Sequence, residues 1–266
     1  MQELVKCQVV NYAPPGQIKL QSHIAPIDAP ISVEEAVDIG QTPWPYKWPE
    51  EKKKLTWKFL TWTTDMNKQY YQMRTFAVVF RTISWIIKKK FEYESDPDVD
   101  TDITIEFTKD LSVFGNRESV IAQAYLFSPH SSYNGITQWN DNFFFTPYGE
   151  PLPAHLVDPE NYPEFDPGNP MLATMPLLHV GMHEMKHMMG YRHDLNSPES
   201  ILYPWAKQGW RNGKPNPAAY IWTSDDILRW VQGYEARNFA ARWLNYFRAR
   251  RLRGRRIPGV PYLVAV

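Results

Sequence analysis

The spacing of apolar residues along this chain changes several times, and each change marks an element. Leu55, Trp57 and Phe59 alternate with Thr56 and Lys58 in the run Leu55–Trp62, which predicts a strand with one buried face. Thr64 or Asp65 can then cap a helix. Met73, Phe76, Ala77, Phe80, Ile83 and Ile87 follow at helical spacing, so that helix buries one face. Lys88, Lys89 and Lys90 sit at its end, where cations suit the helix dipole, and the plain reading of the run is a solvated terminus. Phe91–Tyr93 is a short strand candidate, and Asp102–Phe107 alternates cleanly. Val120–Phe127 is more continuously apolar, and Thr137–Phe145 ends in three phenylalanines; both read as strands. From Pro147 to Pro176 lie eight prolines, a long loop of the kind that tends to be functional in compact domains. A helix and a final helix follow. This order predicts an α+β fold.

The two ends have a different texture. Residues 1–50 are proline-rich and lack clear periodicity, apart from Ser32-Val33-Glu34-Glu35, which could cap one short helix; they read as an arm or pro-segment. Residues 51–236 then form the main domain and 237–266 a basic extension. Between Arg229 and Arg256 stand nine arginines, interleaved with Trp230, Tyr234, Phe239, Trp243, Tyr246 and Phe247 at roughly helical spacing. For Arg248–Arg256, an anchor to an anionic surface or partner stands beside an amphipathic helix with solvated arginines. For the earlier part the packed helix is preferred.

With 266 residues, 43% of them hydrophobic, the chain can bury a substantial core, and a formal net charge of zero points to no partner. The single cysteine, Cys7, excludes intramolecular disulfides and a cysteine-based structural metal site, and it reads as an ordinary buried or free thiol. The N-terminus shows no apolar segment with a small-residue cleavage site, and no stretch reaches the roughly 18–20 apolar residues that span a bilayer. Localisation is therefore open, with non-classical release or a particle-associated location as the expectations.

The chemistry sits in His183-Glu184-Met185-Lys186-His187-Met188-Met189-Gly190-Tyr191-Arg192-His193. His183 and His187, four apart on a helix, project from one face and can share a zinc ion. Glu184, beside the first histidine, can reach a metal-bound water without ligating the metal. Gly190 can take the left-handed conformation that ends a helix and turns the chain back, which brings His193 round as a third ligand. Three protein ligands leave a fourth position for water, the arrangement of a catalytic site. The plain alternative is a helix with two solvent-facing histidines and a glycine stop. His179, one turn before His183, reads as a supporting or core residue, because a fourth histidine ligand would close the site.

Downstream lies Ser200-Ile201-Leu202-Tyr203-Pro204-Trp205. With HExxHxxGxxH before it, this segment resembles the matrixin branch of the metzincins, the matrix-metalloproteinase-like peptidases. Weaker likenesses run in the same order through Leu55–Phe59, Asp102–Phe107, Ile121–Ala124 and Thr223–Ile227, covering about residues 55–236. The resemblance implies a zincin domain with a twisted, mostly parallel sheet, an active-site helix and a C-terminal helix. It implies zinc on His183, His187 and His193, and catalysis by Glu184. Peptide bonds in protein substrates would be hydrolysed through a zinc-bound water with Glu184 as general base. Substrate would lie as an extended strand along Ile121, Ala122, Gln123 and Ala124, with a specificity pocket beside Tyr203, Pro204 and Trp205. Gly190 and Leu202 would shape the turns of the site. Calcium is common in the family, but no ligands are assigned to it here.

The sequence also departs from that pattern. Leu202 stands where the family's turn carries methionine, a swap of similar volume. Gln123 and Gln138 fall where histidines of a second, structural zinc are expected, so one zinc is expected, not two. The loop over 147–176 is longer and richer in proline than the resemblance suggests. Cys7 lies outside the Pro-Arg-Cys-Gly setting through which family members are often kept latent. The competing reading is a structural or assembly protein, such as a virion-associated one, that retains a zincin domain and binds neighbours through its N-terminal arm and basic tail. Nucleic-acid binding rests on that tail alone and is disfavoured.

Overall fold

The computed structural model describes residues 6–10, 47–66, 69–116, 120–125, 127, 134–150, 174–194, 196–203, 209–211, 213–216 and 219–237. The expected helix cap at Ser32, the body of the proline-rich loop and the basic tail lie outside these residues. Among the described residues, no helix is long and apolar enough to cross a membrane.

The strands are β1 (Lys6–Val10), β2 (Lys54–Phe59), β3 (Lys90–Tyr93), β4 (Ile103–Thr108), β5 (Val120–Tyr125) and β6 (Ile136–Asn140). They form one sheet in the order β1-β5-β6-β4-β2-β3. Every neighbouring pair is parallel except β5 and β6, which run antiparallel. Helix α1 (Gln69–Ile86) packs on the sheet with Phe76, Val79, Phe80 and Ile83, the face that the spacing predicts. Trp139 sits at the centre of this core, with ring centroids 5.3 Å from Phe76, 5.6 Å from Phe107 and 5.9 Å from Phe145. The fold is α+β, with a mostly parallel sheet.

The chain then forms β7 (Phe144–Thr146), β8 (Thr174–Pro176), α2 (Leu177–Met188), a small ribbon of β9 (Trp210–Arg211) and β10 (Lys214–Pro215), and α3 (Ser224–Gly233). Strands β7 and β8 pair in parallel, so the ends of the long proline-rich loop are joined at the base of α2. Every residue of α2 is buried. Gly181 faces α1, and a Cβ there would lie 3.0 Å from a Val79 methyl, so glycine permits the close approach of the two helices.

Four expectations from sequence change in the structure. Thr137–Phe145 is not one strand: Asn140 turns the chain, accepting from the Asn142 amide through its side chain (3.1 Å) and from the Phe143 amide through its carbonyl (3.1 Å), so β6 and β7 join different sheets. The lysine run is not uniformly solvated, since Lys89 is buried and donates to the carbonyls of Pro49 and of Lys52 (2.7 Å). The N-terminal arm does not stand wholly apart. Lys6–Val10 enters the main sheet, and Trp48 is buried in the core. Finally, Ile121–Ala124, along which the resemblance lays substrate, is not an open edge, because β1 covers β5 in parallel register, with Gln8 opposite Gln123 and Val9 opposite Ala124.

Candidate metal centre

The motif histidines converge because α2 ends abruptly. Gly190 has a φ of +93°, a left-handed conformation that costs glycine little. Its amide bonds the His187 carbonyl (2.8 Å), and the Tyr191 amide bonds that of Lys186 (3.3 Å), the two bonds of a Schellman exit. The next carbonyls are met from elsewhere: Trp48 Nε1 donates to Met188 O (3.1 Å) and the Tyr234 hydroxyl to Met189 O (2.7 Å). The helix end therefore leaves its buried acceptors satisfied, and the chain doubles back to deliver His193.

Ligand atoms of His183, His187 and His193 all lie within 4.8 Å of one another, the one group of three or more His, Cys, Asp or Glu side chains so placed among the described residues. His183 Nε2 is 2.8 Å from His187 Nε2 and 3.2 Å from His193 Nε2. Two histidines are held from behind, with Nδ1 of His187 donating to the Tyr191 carbonyl (2.6 Å) and Nδ1 of His183 to the Ile201 carbonyl (2.6 Å). Those bonds fix the tautomer, so each Nε2 carries a lone pair that points inward. Burial, then the neighbouring His183 and His193, hold His187 well below the ordinary imidazole range, which keeps it neutral. Imidazole lone pairs crowded around one point repel unless a cation joins them. Two nitrogens on a tetrahedral zinc stand roughly 3.3 Å apart, close to these separations. The donor set fits zinc.

The matrixin family model matches residues 47–226, more than half of the chain. The chain belongs to the matrixin family. No curated protein matches it. As a matrixin it is a zinc metalloprotease that acts on peptide or protein substrates, and its histidine cluster fits the zinc that this family requires.

Around this matrixin's histidines the structure gathers some of the expected residues and separates others. Glu184 is completely buried on α2, next to His183. Leu202 is also fully buried, and its carbonyl accepts from the Asp194 amide (3.0 Å), which ties its turn to the residue after His193. Tyr203 is half-buried at the end of that turn, its amide bonded to Ser200 O (3.2 Å). Pro204 and Trp205 lie outside the described residues. Ile121, Ala122, Gln123 and Ala124 are buried in β5 beneath β1. Gln123 Nε2 donates to Gln138 Oε1 (2.7 Å), and Gln138 Nε2 to Glu106 (3.0 Å), so these amides form a polar row across β5, β6 and β4. His179 is buried and stays outside the triad; its Nδ1 donates to the Ala219 carbonyl (2.6 Å).

A second ring of residues was missed by sequence reasoning. Lys186 and Asp226 form a fully buried ion pair at 2.5 Å. Arg229, one turn along α3 from Asp226, donates to Asp194 (2.6 Å), directly beside His193. Burial pushes Asp226 up, but the Lys186 ammonium and the bonds from Lys186, Ser200 and Ile201 outweigh it and hold the carboxyl well below its ordinary range. A signal for Asp226 was available: Thr223 and Asp226 stand at the spacing of a capping box, which the structure forms in full.

Proposed function

We propose that this matrixin is an endopeptidase in which His183, His187 and His193 hold one catalytic zinc and Glu184 is the general base. The observation that carries the reading is the convergence of three Nε2 atoms, two of them on the helix that also carries the buried Glu184 carboxylate. Zinc, when bound, supplies a Lewis acid that acidifies water and polarises the scissile carbonyl. Glu184 takes the proton from the attacking water and passes it to the departing amine nitrogen. The Tyr191 and Ile201 carbonyls keep His187 and His183 in the tautomer that presents Nε2. The close packing of α2 keeps bulk water from Glu184.

Substrate would bind as an extended strand on β5, through main-chain bonds to Ile121–Ala124, with a side chain in a pocket beside Tyr203, Pro204 and Trp205. Lys6–Val10 already occupies that edge of β5. A substrate must therefore displace β1 to use it.

The test is zinc content and cleavage of a quenched generic peptide by the wild type and Glu184→Ala, each with and without residues 1–46. The expected result is about one zinc per chain in all four proteins, with cleavage only where Glu184 is present. Zinc bound with no cleavage by any of them would turn the reading to a structural protein that retains a zincin domain.

A further inference from the structure

The interior of the metal motif carries a cation to which the reaction assigns no task. Lys186 lies three residues after His183 on α2, and neither its side chain nor that of Asp226 has any exposed surface. Its ammonium stands 5.6 Å from the ring centre of Tyr191, 5.5 Å from Trp222 and 5.8 Å from Trp230. Burying an ammonium is costly unless a carboxylate pairs with it, and aromatic faces add a smaller attraction.

Asp226 does more than neutralise the lysine. Its Oδ1 accepts from Lys186 (2.5 Å) and from the Ser200 hydroxyl (2.7 Å). Its Oδ2 accepts from the Ile201 amide (3.1 Å), the Thr223 amide (3.1 Å) and the Thr223 hydroxyl (2.8 Å). The Ile201 peptide is thus gripped at its N–H by Asp226, while the carbonyl of the same residue accepts from His183 Nδ1 (2.6 Å). The contacts leave α2 at Lys186, pass through Asp226 and Ile201, and return to α2 one turn back at His183.

We propose that Lys186 is a positioning residue for the metal centre: its buried ammonium fixes the Asp226 carboxylate, which sets the Ser200–Leu202 turn and through Ile201 the direction of the His183 imidazole. The proposal rests on the zinc reading of the triad. It assigns Lys186 no contact with substrate or metal. The competing account is that the ion pair only fills space between α2 and α3. On that account an uncharged pair of similar volume would serve equally well, because replacing a buried ion pair with neutral groups is often harmless to stability. The positioning account differs, since an amide at 226 offers a single acceptor oxygen where donors from Ser200, Ile201 and Thr223 converge.

The deciding experiment compares the wild type with Lys186→Met/Asp226→Asn and with Asp226→Asn alone. Thermal melts establish folding, chelator competition gives zinc affinity, and a quenched peptide gives kcat and KM. The double variant removes both charges and strands neither, so it is expected to fold. Its zinc affinity is expected to fall by about 10–100-fold, as for other changes behind a metal ligand. At saturating zinc, kcat is expected to fall while KM stays within about twofold, because no substrate contact is lost. Wild-type zinc affinity in either folded variant would overturn the proposal. A wild type that binds no zinc would instead sink the metal reading, and the proposal with it.

Discussion

His187 is aimed by the carbonyl of Tyr191, and His183 by that of Ile201. Neither carbonyl could be read from sequence, because a backbone acceptor leaves no trace in residue type. The histidine cluster itself was legible, since a spacing of four on a helix and a glycine before the third histidine are local facts. Lys186 and Asp226 lie 40 residues apart and find each other only through tertiary packing. Another buried charge makes a prediction at this scale. Burial raises Asp141 to about 6, against a hydrogen bond from Thr63 and with Asp65 adding to the rise. The native state therefore holds this proton where the unfolded chain has released it. The resulting stability is fully present below the ordinary carboxylate pKa and is lost as pH rises through about 6. Asp141→Asn should flatten that fall, by on the order of 1 kcal/mol after solvent screening. Urea midpoints of both proteins at pH 4 and pH 7.5 measure it; equal slopes for the two would refute it.

Among the elements, the exit of α2 has the sharpest consequence. Any residue but glycine at 190 must hold a φ of +93° against its own Cβ. Gly190→Ala should cost about 1–2 kcal/mol and should loosen His193 more than His183, because His193 lies beyond the turn. A lower melting temperature together with weaker zinc binding is the expected pair of readouts, and unchanged zinc binding would show that the turn does not govern His193. Strands β2 and β4 and helix α1 were legible from period, and β5 from a continuous apolar run that the structure buries on both faces. Thr137–Phe145 misled because one strand was drawn across the polar Asn140-Asp141-Asn142, where side-chain hydrogen bonds to the backbone favour a turn.

Over the whole molecule, the sheet joins regions that the sequence holds far apart. The N-terminal stretch reads as an arm because its prolines mask a five-residue strand, and no local signal tells such a strand which edge it will take. With that edge covered, removing residues 1–46 should lower KM for an extended peptide severalfold and leave kcat unchanged, as read in the quenched-peptide assay. A higher KM would mean that β1 supports the cleft rather than competing for it.

The same pairing bears on the order in which the molecule is made. Lys6 is opposite Val120, so β1 leaves the ribosome roughly a hundred residues before its partner strand exists, and contacts of such long sequence separation form late. Five residues at the rim of a sheet also make a small cooperative unit, the kind that opens without global unfolding. The amides of Lys6–Val10 are thus expected to exchange with solvent far sooner than those of β4 or β6. The margin that closes last in folding opens first in the finished protein, and it is the margin along which a substrate would be laid.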